Sequence, residues 1–436
     1  MLGGDATCVK KLNDFDFNAL NSEDFKYIFP SGDFGFASEL FSVTNQIISS
    51  KSVSKRAKLK FAYNVSKNYR KSSSFKIQLG VILFGNYRIR SAKSFFYFLK
   101  HIIRIQTFLS MCTVIMGFLH MPEKLVDKLI GLNLKEYLVL SKVLSQIKPS
   151  FTLVLSSGYD NITYILSFID KIILGKYIIL INNWDNLSSK GFIGKKVNHV
   201  ALWNHQQIHH ATRISKVSTK KLTVIGSSTA DYAYSKYSNI YNIMSQDKFR
   251  NKKLLYIGQQ SKYDEIYDVI RIANLLKGGS THYNSLTYRP HPFTMSKNKQ
   301  LVAQKSKLID IEVNTEKQIN LLEFGAIITL PTTFLLEVIV SQVPAIIFLP
   351  SKQIFRKDPA TMWNYTHFDP LKELSPIITV ENFSKLENFI RIGFPQQQNL
   401  SSNLLNTLFP RFNTRYEERI EAMLTNVIND EIHNLG

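Results

Sequence analysis

A series of short apolar runs, each closing on Gly, Ser, Asn or Pro and each followed by a helical stretch, constrains this chain more than any other feature. The runs lie at residues 75–85, 151–155, 176–181, 200–203, 222–225, 254–257, 286–289, 326–330 and 343–349. Near-continuous Val/Ile/Leu runs of this length suit strands covered on both faces, and alternation of strands with helices implies parallel sheets. The expected fold class is therefore α/β, with ligands in the crevice outside the carboxyl ends of the strands. At 436 residues the chain exceeds what one hydrophobic core usually serves, so two domains are expected.

The runs of the C-terminal half deliver the most specific side chains. Leu254-Leu255-Tyr256-Ile257 ends in Gly258-Gln259, Leu286-Thr287-Tyr288-Arg289 ends in Pro290-His291-Pro292, and residues 326–330 end in Pro331-Thr332-Thr333. Prolines on both sides restrict the backbone of His291. Thr332 and Thr333 fall at the expected N-cap and first turn of a helix over 334–341, where unpaired N–H groups and the positive dipole end favour a phosphate. His291 suits a phosphate oxygen near neutral pH, and Glu337, one turn along the helix, suits ribose hydroxyls. Each also has a bland reading: a Thr-Thr cap, a rigid Pro-His-Pro turn, a solvated helical Glu. Order and spacing together favour a nucleotide site of Gly258, Gln259, Arg289, His291, Thr332, Thr333 and Glu337.

In the N-terminal half, Asp160 follows the run at 151–155, and Asn182-Asn183-Trp184-Asp185 follows the run at 176–181. Both carboxylates are thereby placed at a sheet's carboxyl edge, as candidates for a general base or as a helix cap and a structural corner. Asp33, in the glycine-flanked turn at 31–36, stands behind them. His205 and His209 have the i, i+4 spacing of metal ligands, but no third ligand and no zinc-hydrolase Glu accompany them, so no metal site is expected.

Arg289-Pro290-His291-Pro292, followed by Thr332-Thr333 and Glu337, resembles the His-Pro and Ser/Thr motifs of GT-B glycosyltransferases that use CMP-sugars, notably bacterial sialyl- and polysialyltransferases. The segment is also similar to CDP-glycerol glycerophosphotransferases and to capsular-polysaccharide glycosyltransferases. The resemblance covers roughly the C-terminal half, with a further anchor at residues 183–191. It implies two Rossmann-like domains facing a cleft, with residues 1–235 binding the acceptor, 236–253 as linker, 254–410 binding the donor, and 411–436 as a C-terminal helix crossing back. The implied activity is transfer of a sugar from a CMP- or UDP-activated donor to a growing surface glycan, without a metal or other cofactor. Asp160 and Asp185 are then the candidate bases, and His291 meets the leaving phosphate. The Asp-Asp-Gly or Glu-Asp-Gly triplet of the sialyltransferases has no counterpart here. The alternatives are a glycerophosphotransferase using His291 and His367, and a non-catalytic binder of anionic glycan or membrane.

Charge supplies a separate expectation. The formal net charge is +21, and every charged residue between Glu39 and Glu123 is Lys or Arg. Interleaved aromatics such as Tyr63, Tyr69, Phe95 and Tyr97 make the surface of an anionic membrane the expected partner of residues 51–104. RNA is not expected, since no RNA-binding motif accompanies the charge. The uncharged run at 105–121 reads as a buried or interfacial helix, being at the lower length limit for a membrane span. Cys8 and Cys112 form no disulfide or metal pattern, and the N-terminus lacks a secretory signal. A cytoplasmic protein, peripheral at the inner face of the plasma membrane, is expected. Gly3-Gly4 reads as a loop that follows a strand.

Overall fold

The computed structural model describes residues 2–3, parts of 56–67, 105–122, 125–127, 135–156, 161–169, 171–181, 183–185, 187–188, 193–194, 196–237, 252–259, 265–291, 312–313, 319–350, 359–372, 378–394 and 402–429. Asp33, Asp160, the strand expected at 75–85 and most of the basic stretch 51–104 lie outside them. The described residues form two compact units, one of residues 2–227 with 412–429, the other of residues 228–411.

The first unit is a parallel sheet of β1 (Leu2–Gly3), β2 (Phe151–Ser156), β3 (Lys176–Ile181), β4 (His199–Leu202) and β5 (Leu222–Val224), in that spatial order. Gly3 is thus paired within a strand, opposite Leu155, and is not the loop the sequence suggested. Its described helices include α1 (Ile105–Phe118), α2 (Lys135–Ile147) and α3 (His205–Ile214). Alternate residues of the strands go to opposite faces. Val154, Tyr177, Ile179 and Val200 share one buried cluster with Leu140 and Val143 of α2 and Ala211 and Ile214 of α3. Ile178, Leu180, Ala201 and Ile225 form a second cluster with Met423. Both faces are covered, which is why these strands read as uninterrupted apolar runs.

The second unit begins with α4 (Ser228–Tyr237) and is built on β6 (Lys253–Ile257), β7 (Ser285–Arg289), β8 (Glu312–Val313), β9 (Ala326–Thr329), β10 (Ala345–Phe348) and β11 (Ile378–Val380). The order is β11-β10-β9-β6-β7-β8, all parallel. The chain moves outward from β6 to β8, then returns to the other side of β6 at β9. That reversal is a topological switch point, where an open α/β sheet leaves a crevice at its carboxyl edge. α5 (Glu265–Lys277) and α7 (Phe383–Ile392) cover one face through Val269, Ile272, Leu386 and Ile390, while α6 (Leu335–Ser341) joins β9 to β10. The C-terminal helix, α8 (Tyr416–Asn429), belongs to the first unit, where Met423 joins the second cluster with Ile420 and Leu424 packed against it. Its Arg419 Nε donates to the carbonyl of Ile225 at 2.6 Å, and Lys176 Nζ donates to that of Val427 at 2.6 Å. Two parallel α/β sheets are therefore present, as expected of paired Rossmann-like folds. Among the described residues no helix is long and apolar enough to cross a membrane.

Candidate functional site

The carboxyl edge of the second sheet holds a cavity of about 340 Å³ lined by Ser228, Thr229, Tyr232, Arg289, Ile319, Phe334 and Glu337, all of one unit. Arg289 is the last residue of β7, and its carbonyl accepts from Gly258 N–H at 2.9 Å, which ties the exits of β7 and β6 together. Its guanidinium lies 4.8 Å from the centroid of the Phe334 ring, a cation–π arrangement that orients the fork. Glu337 sits in the first turn of α6. Burial pushes its carboxyl up to about 7, against the opposing pull of the Arg289 and Lys236 charges. Burial likewise lowers the Arg289 pKa, and Glu337 and Tyr237 resist that shift. One cavity thus offers a cation, a carboxyl poised near neutrality, three hydroxyls and an aromatic face.

A second part of the cavity lining comes from α4, through Ser228, Thr229 and Tyr232. Lys236 Nζ donates to the carbonyl of Ile319 at 2.9 Å and sits 5.4 Å and 5.6 Å from the ring centroids of Tyr232 and Tyr237. Burial raises the Tyr237 hydroxyl to about 12. The stretch at 319–321 is thereby fastened to α4, and this holds Ile319 at the cavity.

The residues expected at a nucleotide site fall on the same sheet edge but divide into two groups. Arg289 and Glu337 line the cavity; His291, Thr332, Thr333, Gly258 and Gln259 do not. His291 is half-buried just beyond β7. Thr332 Oγ1 accepts from Phe334 N–H at 3.1 Å, and the N-cap of α6 is Phe334, without a side-chain cap. The hydroxyl therefore closes a turn ahead of the helix, and the N-cap falls after both threonines rather than on them as the sequence suggested. Gly258 and Gln259 receive the first residue of α5: Gln259 N–H donates to Glu265 Oε2 at 3.0 Å, and Tyr288 OH donates to Glu265 Oε1. A Cβ at Gly258 would lie 2.2 Å from that Oε1, so only glycine admits the carboxylate there.

Ser228, Thr229, Tyr232, Ile319 and Phe334 were not anticipated. The signal available was Gly226-Ser227-Ser228-Thr229 at the end of β5, small polar residues closing a strand, with Asp231 in the first turn of what proves to be α4. Gly226 has φ +74, the left-handed conformation that favours glycine.

In the first unit, Asp185 is half-buried in the loop after β3. Trp184 beside it is fully buried, and Ser188 Oγ donates to the Asp185 carbonyl at 3.0 Å. His205 and His209 are exposed on α3 while His210 is buried. Desolvation, then the charge of Arg213, lowers the His209 pKa. In the second unit His367 is buried in a single helical turn at Thr366–Phe368, its ring 4.2 Å from that of Phe368 and 5.9 Å from that of Tyr365.

No family model matches the sequence, and no curated protein matches it. Among solved structures, the chain is similar to UDP-GlcNAc 2-epimerase of Methanocaldococcus jannaschii in complex with UDP-GlcNAc and UDP, at 15% identity and a TM-score of 0.42, covering 66% of this chain and 79% of that one. It is similar to the wall teichoic acid polymerase TagF at 12% identity and a TM-score of 0.39, covering 65% and 73%. It is also similar to TarM of S. aureus in complex with Fondaparinux, alpha-GlcNAc-glycerol and UDP, at 12% identity and a TM-score of 0.35, covering 67% and 59%.

Proposed function

We propose that the chain is a GT-B glycosyltransferase that holds a nucleotide-activated sugar at the carboxyl edge of the second sheet and moves the sugar to a glycan or lipid-linked acceptor of surface-polysaccharide synthesis. The observation that carries this reading is the pairing of Arg289 with Glu337 in one cavity beside the switch point. Arg289 supplies a planar cationic donor for phosphate oxygens, and Glu337 supplies an acceptor for ribose hydroxyls. His291 and the Thr332-Thr333 turn stand along the same edge to meet charge that develops on the leaving diphosphate or monophosphate. On the acceptor side a carboxylate removes the proton of the attacking hydroxyl, with Asp185 the first candidate and Asp160 the second. The acceptor oxygen bonds to the anomeric carbon, the bond from that carbon to the phosphate oxygen breaks, and the nucleotide leaves with the electron pair.

Incubation with CMP-, CDP- and UDP-activated donors tests the reading. Acceptor-dependent release of one nucleotide is expected, reduced by a factor of about 100 or more in Arg289→Ala. Release of CMP with transfer of glycerol phosphate would support the glycerophosphotransferase alternative instead. Glycan binding with no nucleotide released from any donor would support the non-catalytic binder. The basic stretch 51–104 completes the proposal as the contact with an anionic membrane at the cytoplasmic face. Its test is flotation with vesicles, and equal recovery on neutral and anionic lipid would refute an electrostatic contact.

A further inference from the structure

Gln207 is a polar side chain with no exposed surface, in the first turn of α3. Its Nε2 donates to the carbonyl of Asn183 at 2.9 Å and to that of Trp184 at 3.0 Å, while its Oε1 accepts from Trp203 N–H at 2.8 Å. Its own backbone N–H donates to the Asn204 side chain, the N-cap of α3, at 3.0 Å. Both amide hydrogens and an oxygen lone pair are therefore committed to main-chain groups. The amide orientation is fixed by its partners, because the flipped form would set an oxygen against two carbonyls. These three main-chain groups lie where β3 and β4 end, at the carboxyl edge of the first sheet. The two carbonyls immediately precede Asp185, whose own carbonyl is held by Ser188.

We infer that Gln207 is a positioning residue for the acceptor-side base: its amide fixes the Asn183-Trp184 turn and through it sets where the Asp185 carboxylate stands. The inference rests on the glycosyltransferase reading above and on Asp185 as the base. Gln207 touches neither donor nor acceptor in this scheme. Its effect passes through the backbone, and a loop displaced by about an ångström can cost on the order of 100-fold in rate.

The test is a double-mutant cycle on the full chain, using the donor from which the wild type releases nucleotide. Gln207→Met keeps the volume and removes the hydrogen bonds; Gln207→Asn keeps an amide on a shorter stem and serves if the first variant does not fold. Tryptophan fluorescence and the melting temperature report folding. The expected result is a fall in kcat of about 10- to 100-fold with nucleotide affinity unchanged within about twofold, and no further fall when the substitution is added to Asp185→Asn. A merely structural role would lower activity by the same factor in the wild-type and the Asp185→Asn backgrounds, and that result would overturn the inference. Unchanged kcat in a folded Gln207 variant would overturn it too. If Asp185→Asn alone retains full activity, or the wild type releases no nucleotide, the failure lies in the reading beneath and the inference falls with it.

Discussion

Glu337 is the residue whose chemistry departs furthest from what its place in a helix suggests. A helical Glu ordinarily faces solvent; here burial in the cavity moves its carboxyl from 4.5 to about 7. Between those values the unfolded chain has released the proton and the folded protein still holds it. Stability should therefore fall as pH rises from about 4.5 to 7, then level off once both forms are ionised. Glu337→Gln should remove this slope, which amounts to on the order of 3 kcal/mol across the window. Denaturant titrations at several pH values would measure it, and an unaltered slope in the variant would refute the assignment. Gly258 is the second informative position. Gly258→Ala should destabilise by about 1–3 kcal/mol, because its methyl displaces the Glu265 carboxylate from Gln259 N–H and Tyr288 OH. Thermal unfolding checks this, and a neutral result would mean that the carboxylate relocates freely. The places of Arg289 and Gly258 at a carboxyl edge were both legible in the sequence, since one ends a strand and the other follows one; that Gly258 makes room for the Glu265 carboxylate was not. Nor was the burial of Glu337: α4, which contacts α6 and lines the same cavity, lies about 100 residues away in sequence.

Elements were more legible than side chains. Strands covered on both faces leave an apolar run that needs no partner to be recognised, and β2, β3, β4, β6, β7, β9 and β10 all fall on runs read from sequence. α5 and α8 were likewise readable, from apolar residues at helical spacing after a strand or a polar loop. α4 was not, because Ala230, Ala233 and Tyr237 are its buried residues and a stripe of two alanines carries little signal. Three of the seven residues that line the cavity, Ser228, Thr229 and Tyr232, stand on that helix. The start of α6 was also displaced, since the Thr332 hydroxyl serves a turn and leaves Phe334 at the N-cap. In α3 the cap is genuine: Asn204 is fully buried and accepts from Gln207 N–H at 3.0 Å. Asn204→Ala should cost about 1–2 kcal/mol, near the upper end for a cap. Asn382, which caps α7 by accepting from Lys385 N–H at 3.0 Å, is exposed, and Asn382→Ala should cost about 1 kcal/mol or less. Equal losses in chemical denaturation would contradict the dependence on burial.

For the whole molecule, the C-terminal segment belongs with residues far upstream. α8 covers Ile178, Leu180, Ala201 and Ile225 on one face of the first sheet and fastens itself through Arg419 and Lys176. A chain ending after Arg411 should therefore expose that face: hydrogen exchange should speed up in β3 and β4 and stay unchanged in β6, β9 and β10. Uniform acceleration, or none, would contradict the division into two units. The proposed function stands or falls on whether the cavity bearing Arg289 and Glu337 is a nucleotide site. Ligand-observed saturation-transfer NMR with CMP, CDP, UDP and GDP, on the wild type and on Arg289→Ala, decides this. Binding of a pyrimidine nucleotide by the wild type and its loss in the variant are expected; binding that survives in Arg289→Ala, or no binding of any of the four, would refute the nucleotide site.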